Sequence, residues 1–323
     1  MVRNKKLLLL FFSILVFIIS CETYTYKGKK YTYNKRNPYP NMEILKYNNR
    51  LAYNFPNKKS DKLIIHTEGS GFESVLGVNE NGIWSQVGYC TQTLQELRSK
   101  YTFLILEKLN RQPGKVYSED MEDRANYTAE NLLTGYVETV DCYLAEHNFS
   151  SIILIGTSEG AMLLPLLYEK MKDKNKVIAM ISISFGGLSM YESYNILNTA
   201  RTGIYPQNWL DMFSDILKTF NPKNGKFPNS YEENYYDLTY RWFNSFSRIR
   251  PFDYYKNINI PILFVHGMDD YNIPFESTAY IQENLPDKPF QYQYYKWDHQ
   301  PRTNPDIIQF RKNLAYWIIQ VSK

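Results

Sequence analysis

A serine flanked by glycines lies near the middle of the chain, in Gly156-Thr157-Ser158-Glu159-Gly160. A serine hydroxyl is a weak nucleophile at neutral pH and needs a neutral imidazole to take its proton. The imidazole needs a carboxylate that fixes its tautomer and stabilises the cation that forms. Both types follow later in the chain. Asp270 lies in His266-Gly267-Met268-Asp269-Asp270-Tyr271-Asn272-Ile273-Pro274, and His299 closes Trp297-Asp298-His299. A nucleophile, an acid and a base of these types could carry covalent acyl transfer. Asp269 competes with Asp270 for the acid role by adjacency. Asp298 competes less well, because a chain neighbour of His299 rarely points at the same ring nitrogen. The other histidines have plainer readings. His66 and His266 end apolar runs as hydrogen-bonded loop residues, and His147 closes a helix, where a cation suits the macrodipole.

Each of these residues must be held by an element. Ile152–Ile155 reads as a buried strand, and the segment after Gly160 as a helix. A G-x-S-x-G between strand and helix is the context that gives the pattern its meaning. Gly156 and Gly160 lack a Cβ, so strand and helix can approach closely there. The apolar run Pro261–Val265 precedes His266-Gly267, and Phe290–Tyr295 precedes His299, so all three candidates fall just past a strand.

The flanking chain continues the pattern. Met42–Tyr47 and Arg50–Asn54 suit a hairpin across Asn48-Asn49. Lys62–His66, Thr102–Leu106 and Val177–Ile183 read as strands. Helices are expected from near Thr91 to Tyr101, over Asn126–His147, near Glu276–Asn284 and over Pro305–Val321. Within Asn126–His147, Leu132, Leu133, Tyr136, Val137, Val140, Tyr143 and Leu144 recur at helical spacing. Repeated strand–helix units imply a parallel sheet covered on both faces. Pro165, inside the helix after Gly160, should disturb a backbone hydrogen bond.

One interval breaks the alternation. Between Ser184 and Pro261 the chain is far longer than an ordinary connection. It reads as a helical cap over about residues 186–256, rich in Tyr205, Trp209, Phe213, Phe220, Tyr235, Tyr236, Tyr240, Trp242 and Phe246. Most of these rings are expected to hold the cap's own helices together. The remainder are candidates to line a substrate pocket.

In these features the chain resembles the α/β-hydrolase superfamily. The serine elbow, the pattern H-G-x-x-D-x-x-[VI]-P over His266–Pro274 and the late histidine are all present, in the order Ser, Asp, His. The resemblance spans about residues 42–321, cap included. It implies an α/β-hydrolase fold, a mostly parallel sheet with helices on both faces and a helical cap inserted before the acid strand. It also implies Ser158 as nucleophile, His299 as base and Asp270 as acid, since the family pattern sets the acid three residues before Ile273. An oxyanion hole of two backbone N–H groups follows from the same likeness. One belongs to Glu159. The other comes from His66-Thr67-Glu68-Gly69-Ser70-Gly71, where family members often carry H-G-x-x-G or H-G-G-G. This chain departs from that: aligning on Gly69 selects Ser70, and aligning on His66 shifts the donor toward Glu68. The Glu159 carboxylate could favour the helix N-terminus or contact substrate.

The implied activity is hydrolysis of an ester, thioester or amide through an acyl-enzyme. It would act on a small ester or peptide and need no cofactor. A serine peptidase or aminopeptidase is the alternative within the fold. A non-catalytic, surface-tethered binding protein is the alternative outside it, and the intact set of Ser158, Asp270 and His299 speaks against that. No His/Asp/Glu cluster has metal-ligand spacing, and no Gly-rich phosphate loop is visible.

The 323 residues suffice for one large domain with insertions or for two domains. A net charge of +4 is too mild to argue for nucleic acid. The 29 tyrosines read as a compositional habit. Residues 1–20 read as a signal peptide, with Arg3, Lys5 and Lys6 before the apolar run Leu7–Ile19. That run is shorter than the ~20 residues of a comfortable membrane span. Ile18-Ile19-Ser20-Cys21 resembles the lipobox of bacterial lipoproteins. The likeness implies cleavage before Cys21, lipid on Cys21 and an exported protein attached to a membrane. Residues 21–41 form a tether or a small hairpin, with Tyr24-Thr25-Tyr26 and Tyr31-Thr32-Tyr33 around a glycine turn. Residues 42–323 form the hydrolase domain. Cys90 and Cys142 could pair in an oxidising compartment, or stand as two free, buried thiols.

Overall fold

The computed structural model describes residues 21–26, 29–34, 42–48, 50–71, 74–78, 84–87, 97–108, 121–200, 205–235 and 238–323. Its frame is an eight-stranded sheet. The strands are β1 (Glu43–Tyr47), β2 (Arg50–Phe55), β3 (Lys62–Thr67), β4 (Thr102–Leu106), β5 (Ser151–Thr157), β6 (Val177–Ile183), β7 (Ile262–Gly267) and β8 (Phe290–Tyr295). Their spatial order is β8-β7-β6-β5-β3-β4-β2-β1. From β8 to β4 every pairing is parallel, while β4–β2 and β2–β1 are antiparallel.

The central strands are apolar on both faces because both faces are covered. Along β5, Ile152 and Leu154 join one buried cluster and Ile153 and Ile155 the other. The first cluster meets helix α1 (Ala129–Glu146) through Leu132, Tyr136, Val140 and Tyr143, and helix α2 (Glu159–Lys170) through Leu163 and Leu167. The second meets the C-terminal helix through Phe310, Leu314, Trp317 and Ile318. The helical spacing read over Asn126–His147 is therefore the buried stripe of α1. Its N-cap is Thr128, whose hydroxyl accepts from the Asn131 N–H at 3.2 Å. Helix α2 runs through Pro165, which has no N–H to give the Ala161 carbonyl one turn earlier.

Connectivity reverses at the middle of the sheet. β3 is flanked by β4 on one side and β5 on the other, so the chain leaves their C-terminal ends in opposite directions. Such a switch point opens a crevice beyond the strand ends, where open α/β sheets bind ligands.

Between β6 and β7 lie helix α3 (Met190–Ala200), helix α4 (Gln207–Thr219), a short strand pair (Asn234–Tyr235 with Leu238–Thr239), helix α5 (Tyr240–Phe246) and the single turn α6 (Phe252–Tyr255). Aromatic rings hold this insertion together. Phe220 meets Phe227, Tyr240 and Phe243 at 5.4–5.8 Å, and Trp242 stacks on Phe246 at 4.5 Å. Two further helices complete the chain, α7 (Glu276–Asn284) and α8 (Asn304–Val321).

Strands Cys21–Tyr26 and Lys29–Asn34 pair antiparallel. The expected signal segment, most of the helix expected from Thr91, Cys90 and Tyr236 lie outside the described residues. Cys142 is a free, half-buried thiol. Among the described residues no helix is long and apolar enough to cross a membrane.

Candidate active site

The turn from β5 into α2 is strained at one residue. Ser158 has φ 52° and ψ −117°, a left-handed backbone conformation that costs a non-glycine residue energy. Its N–H donates to the Ile183 carbonyl at 2.8 Å, which anchors it to the end of β6. The flanking glycines are needed for the approach they permit. A Cβ on Gly156 would stand 2.6 Å from the Ala161 Cα, and one on Gly160 would stand 2.4 Å from the Thr67 carbonyl oxygen. The Thr67 hydroxyl donates to the Gly160 carbonyl at 3.1 Å across the same contact. The loop after β3 also lies against the serine, since a Cβ on Gly69 would stand 3.2 Å from the Ser158 Cβ.

Asp270 and His299 meet on the far side of β6. His299 Nδ1 donates to Asp270 Oδ2 at 2.8 Å. The other carboxylate oxygen, Oδ1, accepts the Asn272 and Ile273 N–H groups at 2.8 and 3.0 Å. Asp270 is fully buried. Burial alone would push its carboxyl up, but the hydrogen bonds and charges of His266 and His299 outweigh that and hold it well below the usual carboxylate range. Asp269 is exposed, and Asp298 faces Arg302.

His266 is wholly buried and also contributes to this corner. Its Nε2 lies 3.0 Å from the Ile273 carbonyl, which can only accept, so Nε2 carries a proton. The same N–H points at Asp270 Oδ2 from 3.3 Å. Ser184 is a residue whose role here the sequence did not mark. At φ 56° it turns the chain at the end of β6, and its hydroxyl donates to the His299 carbonyl at 2.6 Å. Its only signal was its place just past a strand.

Ser158, His299, Ser70 and Glu159 all border one cavity of about 610 Å³. No direct hydrogen bond joins Ser158 to His299, and such bonds are often loose before substrate arrives. Asn272 and Gln300 add polar groups beside His299, and most of the remaining wall is aromatic or aliphatic. From α2 and the chain after β6 come Met162, Phe185, Met190 and Tyr194. From the insertion come Trp209, Phe213, Tyr235, Trp242 and Phe246, five of the nine aromatics singled out in the sequence. Holding the insertion together and lining a pocket are therefore not separate duties: Phe213 packs in a buried cluster with Leu197, Tyr205 and Leu210 and borders the cavity as well. Among the described lining residues there is no Lys or Arg.

Glu159 does not reach for a ligand. The residue is 4% exposed, and its carboxylate accepts the Tyr127 hydroxyl at 2.8 and 2.9 Å and the Trp242 indole N–H at 2.7 Å. His66, at the end of β3, lies 3.2 Å from the Thr157 hydroxyl, just before Ser158. Burial lowers its pKa, with Glu68 opposing, so its imidazole is neutral at pH 7. No group of His, Cys, Asp and Glu among the described residues is placed to hold a metal ion.

No protein-family model and no curated protein sequence matches the chain. Solved structures do. Est1E from Butyrivibrio proteoclasticus, with ferulic acid bound, superposes on 87% of this chain and 100% of its own, with a TM-score of 0.58 and 16% identity. An acylaminoacyl peptidase from Pyrococcus horikoshii matches 86% of this chain, which spans 40% of the peptidase, with a TM-score of 0.55 and 15% identity. Acetyl xylan esterase 1 from Thermoanaerobacterium matches 94% of this chain and 89% of its own, with a TM-score of 0.52 and 14% identity. With its strand order, its parallel core and these neighbours, the chain has the α/β-hydrolase fold.

Proposed function

We propose that the protein is a serine hydrolase that cleaves a carboxylic ester carrying a bulky, apolar, uncharged group. The observation that carries this is the His299–Asp270 pair, 2.8 Å apart, opening on the same cavity as the strained Ser158. In this reading His299 Nε2 takes the Ser158 proton as Oγ bonds to the ester carbonyl carbon. The carbonyl oxygen becomes an oxyanion, met by the backbone N–H groups of Ser70 and Glu159. Collapse expels the alcohol, which leaves with the proton held on His299. Water then repeats the sequence on the acyl-enzyme, releases the acid and restores Ser158.

The lining favours an ester over a peptide. Binding an extended peptide takes backbone or polar partners along its length, whereas this wall is mostly aromatic, aliphatic and methionine, with Asn272 and Gln300 as its polar groups beside His299. Est1E, which superposes with ferulic acid bound, offers a parallel in an aromatic acid. The insertion between β6 and β7 then acts as the cap that forms the far wall.

A fluorophosphonate probe together with a p-nitrophenyl ester series tests the proposal. Labelling and turnover are expected in the wild type and absent in Ser158→Ala, with longer or aryl acyl groups preferred over acetyl. Labelling that survives Ser158→Ala would remove the catalytic reading. Turnover of aminoacyl-nitroanilides alone would replace esterase by peptidase.

The N-terminal sequence supports a second proposal, that the mature chain begins at a lipid-modified Cys21 and sits on a membrane outside the cytoplasm. Incorporation of radiolabelled palmitate is expected in the wild type and lost in Cys21→Ser. Equal labelling of the two would end that reading.

A further inference from the structure

The two backbone donors assigned above come from segments that no short stretch of chain connects. Ser70 lies in the loop after β3, and Glu159 opens α2. A chain of hydrogen bonds spans the gap. The Gly71 N–H donates to the Tyr127 hydroxyl at 3.1 Å, and that hydroxyl donates to the Glu159 carboxylate. Lys108 Nζ steadies the other side of the same glycine, donating to the Gly71 carbonyl at 2.8 Å. Tyr127 is buried, and burial, together with the charge and the hydrogen bond of Glu159, raises its pKa well above the ordinary tyrosine value. Its hydroxyl therefore remains a donor at any working pH. The insertion enters at the same point, since Trp242 Nε1 donates to Glu159 Oε2 at 2.7 Å.

A carboxylate next to the nucleophile also poses an electrostatic problem. A negative charge there opposes the negative charge that develops on the substrate oxygen. The donors from Tyr127 and Trp242 hold the carboxylate and offset its charge.

We propose that Glu159 and Tyr127 are positioning residues: their hydrogen bond to each other and to the Gly71 N–H sets the distance between the Ser70 and Glu159 backbone donors, and Trp242 makes that distance depend on where the cap sits. This deepens the hydrolase reading and rests on it. Removing the Tyr127 hydroxyl frees the loop and leaves the carboxylate less neutralised, and both effects weaken binding of the oxyanion more than binding of the ground-state ester.

The test uses the purified full chain, with active sites counted by fluorophosphonate labelling. Tyr127→Phe is expected to lower kcat per labelled site by about 10–100-fold, the scale of a misplaced catalytic group, with KM changed less than about threefold. Affinity for an aryl trifluoromethyl ketone, which forms a hemiketal oxyanion on the serine, should fall in parallel. Glu159→Gln retains a carbonyl for the Tyr127 hydroxyl and should keep most of the wild-type kcat, which Glu159→Ala should lose. Trp242→Phe should raise KM more than it lowers kcat. A merely structural role would reduce the labelled fraction or Tm and leave kcat per labelled site and ketone affinity unchanged, which would overturn the proposal. A Tyr127→Phe protein that loses kcat but keeps full ketone affinity would also overturn it. If Tyr127→Phe yields no folded protein, Glu159→Ala beside Glu159→Gln decides: equal ketone affinity in the two refutes the link. Ester turnover unaffected by Ser158→Ala would instead refute the hydrolase reading, and this inference with it.

Discussion

Two corners of the cavity are built in opposite ways. In the acid corner nearly every contact to Asp270 is local. Among the described contacts, its partners His266, Asn272 and Ile273 all lie within four residues of it, and His299 comes from further along the chain. In the oxyanion corner the contacts are long-range. Glu159 meets Tyr127, 32 residues away, and Trp242, 83 residues away, while Tyr127 reaches Gly71 across 56. The acid corner is fixed largely by one loop closing on itself, and the oxyanion corner by Tyr127 and Trp242 meeting on one carboxylate, with Gly71 joined through Tyr127. A local corner should tolerate changes elsewhere and fail all at once when its own residue changes. A distributed one should degrade in steps.

The largest effect expected tests the local corner. Asp270→Asn keeps the shape but presents an amide where His299 Nδ1 needs an acceptor, which favours the wrong tautomer. A loss of about 10⁴-fold in kcat is expected, while Asp269→Asn should stay within about twofold. Steady-state kinetics on the preferred ester would check both. Comparable losses in the two variants would mean that the loop, rather than one carboxylate, carries the role.

The next effect probes the seam between the corners. The Ser184 hydroxyl holds the His299 carbonyl at 2.6 Å from a left-handed backbone position. Ser184→Ala removes that bond without relieving the backbone, and should cost about 0.5–1.5 kcal/mol of stability. Ser184→Gly removes both bond and strain and should cost less than the alanine. Thermal melts of the pair check this; an alanine variant as stable as wild type would show that the His299 loop is held by other contacts.

The same contrast explains what was legible in the sequence. The strands at Thr102–Leu106, Val177–Ile183 and Phe290–Tyr295 stand where their residue patterns put them, because strand residues covered by a helix layer carry a local signature. The His266–Pro274 stretch was legible as a local pattern, since Asp270 accepts the Asn272 and Ile273 N–H groups and His266 reaches the Ile273 carbonyl within it. Ser184, Tyr127 and Trp242 carry no such signature. A tyrosine before a helix, or a tryptophan in an aromatic insertion, gains its partner only when distant segments fold together. The sorting of aromatics into those that hold the insertion and those that line the cavity failed likewise, because Phe213 and Trp242 have one face for each.

The smallest effect expected concerns stability and belongs to the distributed corner. His66 sits under the loop after β3, fully buried beside the Thr157 hydroxyl. Burial lowers its pKa below the free value of 6.5, with Glu68 only partly opposing. The unfolded chain therefore takes up a proton near pH 6.5 that the folded chain refuses, so the unfolded state binds more protons there. Stability contributed by this group is complete above the unfolded pKa. It is lost as pH falls below that value, until the folded pKa is passed. The slope from one such group is at most about 1.4 kcal/mol per pH unit. His66→Gln can keep the hydrogen bond to Thr157 but does not titrate. Denaturant midpoints measured from pH 7.5 to 5 should fall more steeply for the wild type than for this variant, with the curves separating below about pH 6.5. The distributed corner would then loosen in mild acid, through β3 and its loop, at a pH where Asp270 still keeps its charge. Parallel curves would show that His66 titrates alike in both states, and that the support under the oxyanion loop is more open to solvent than its packing implies.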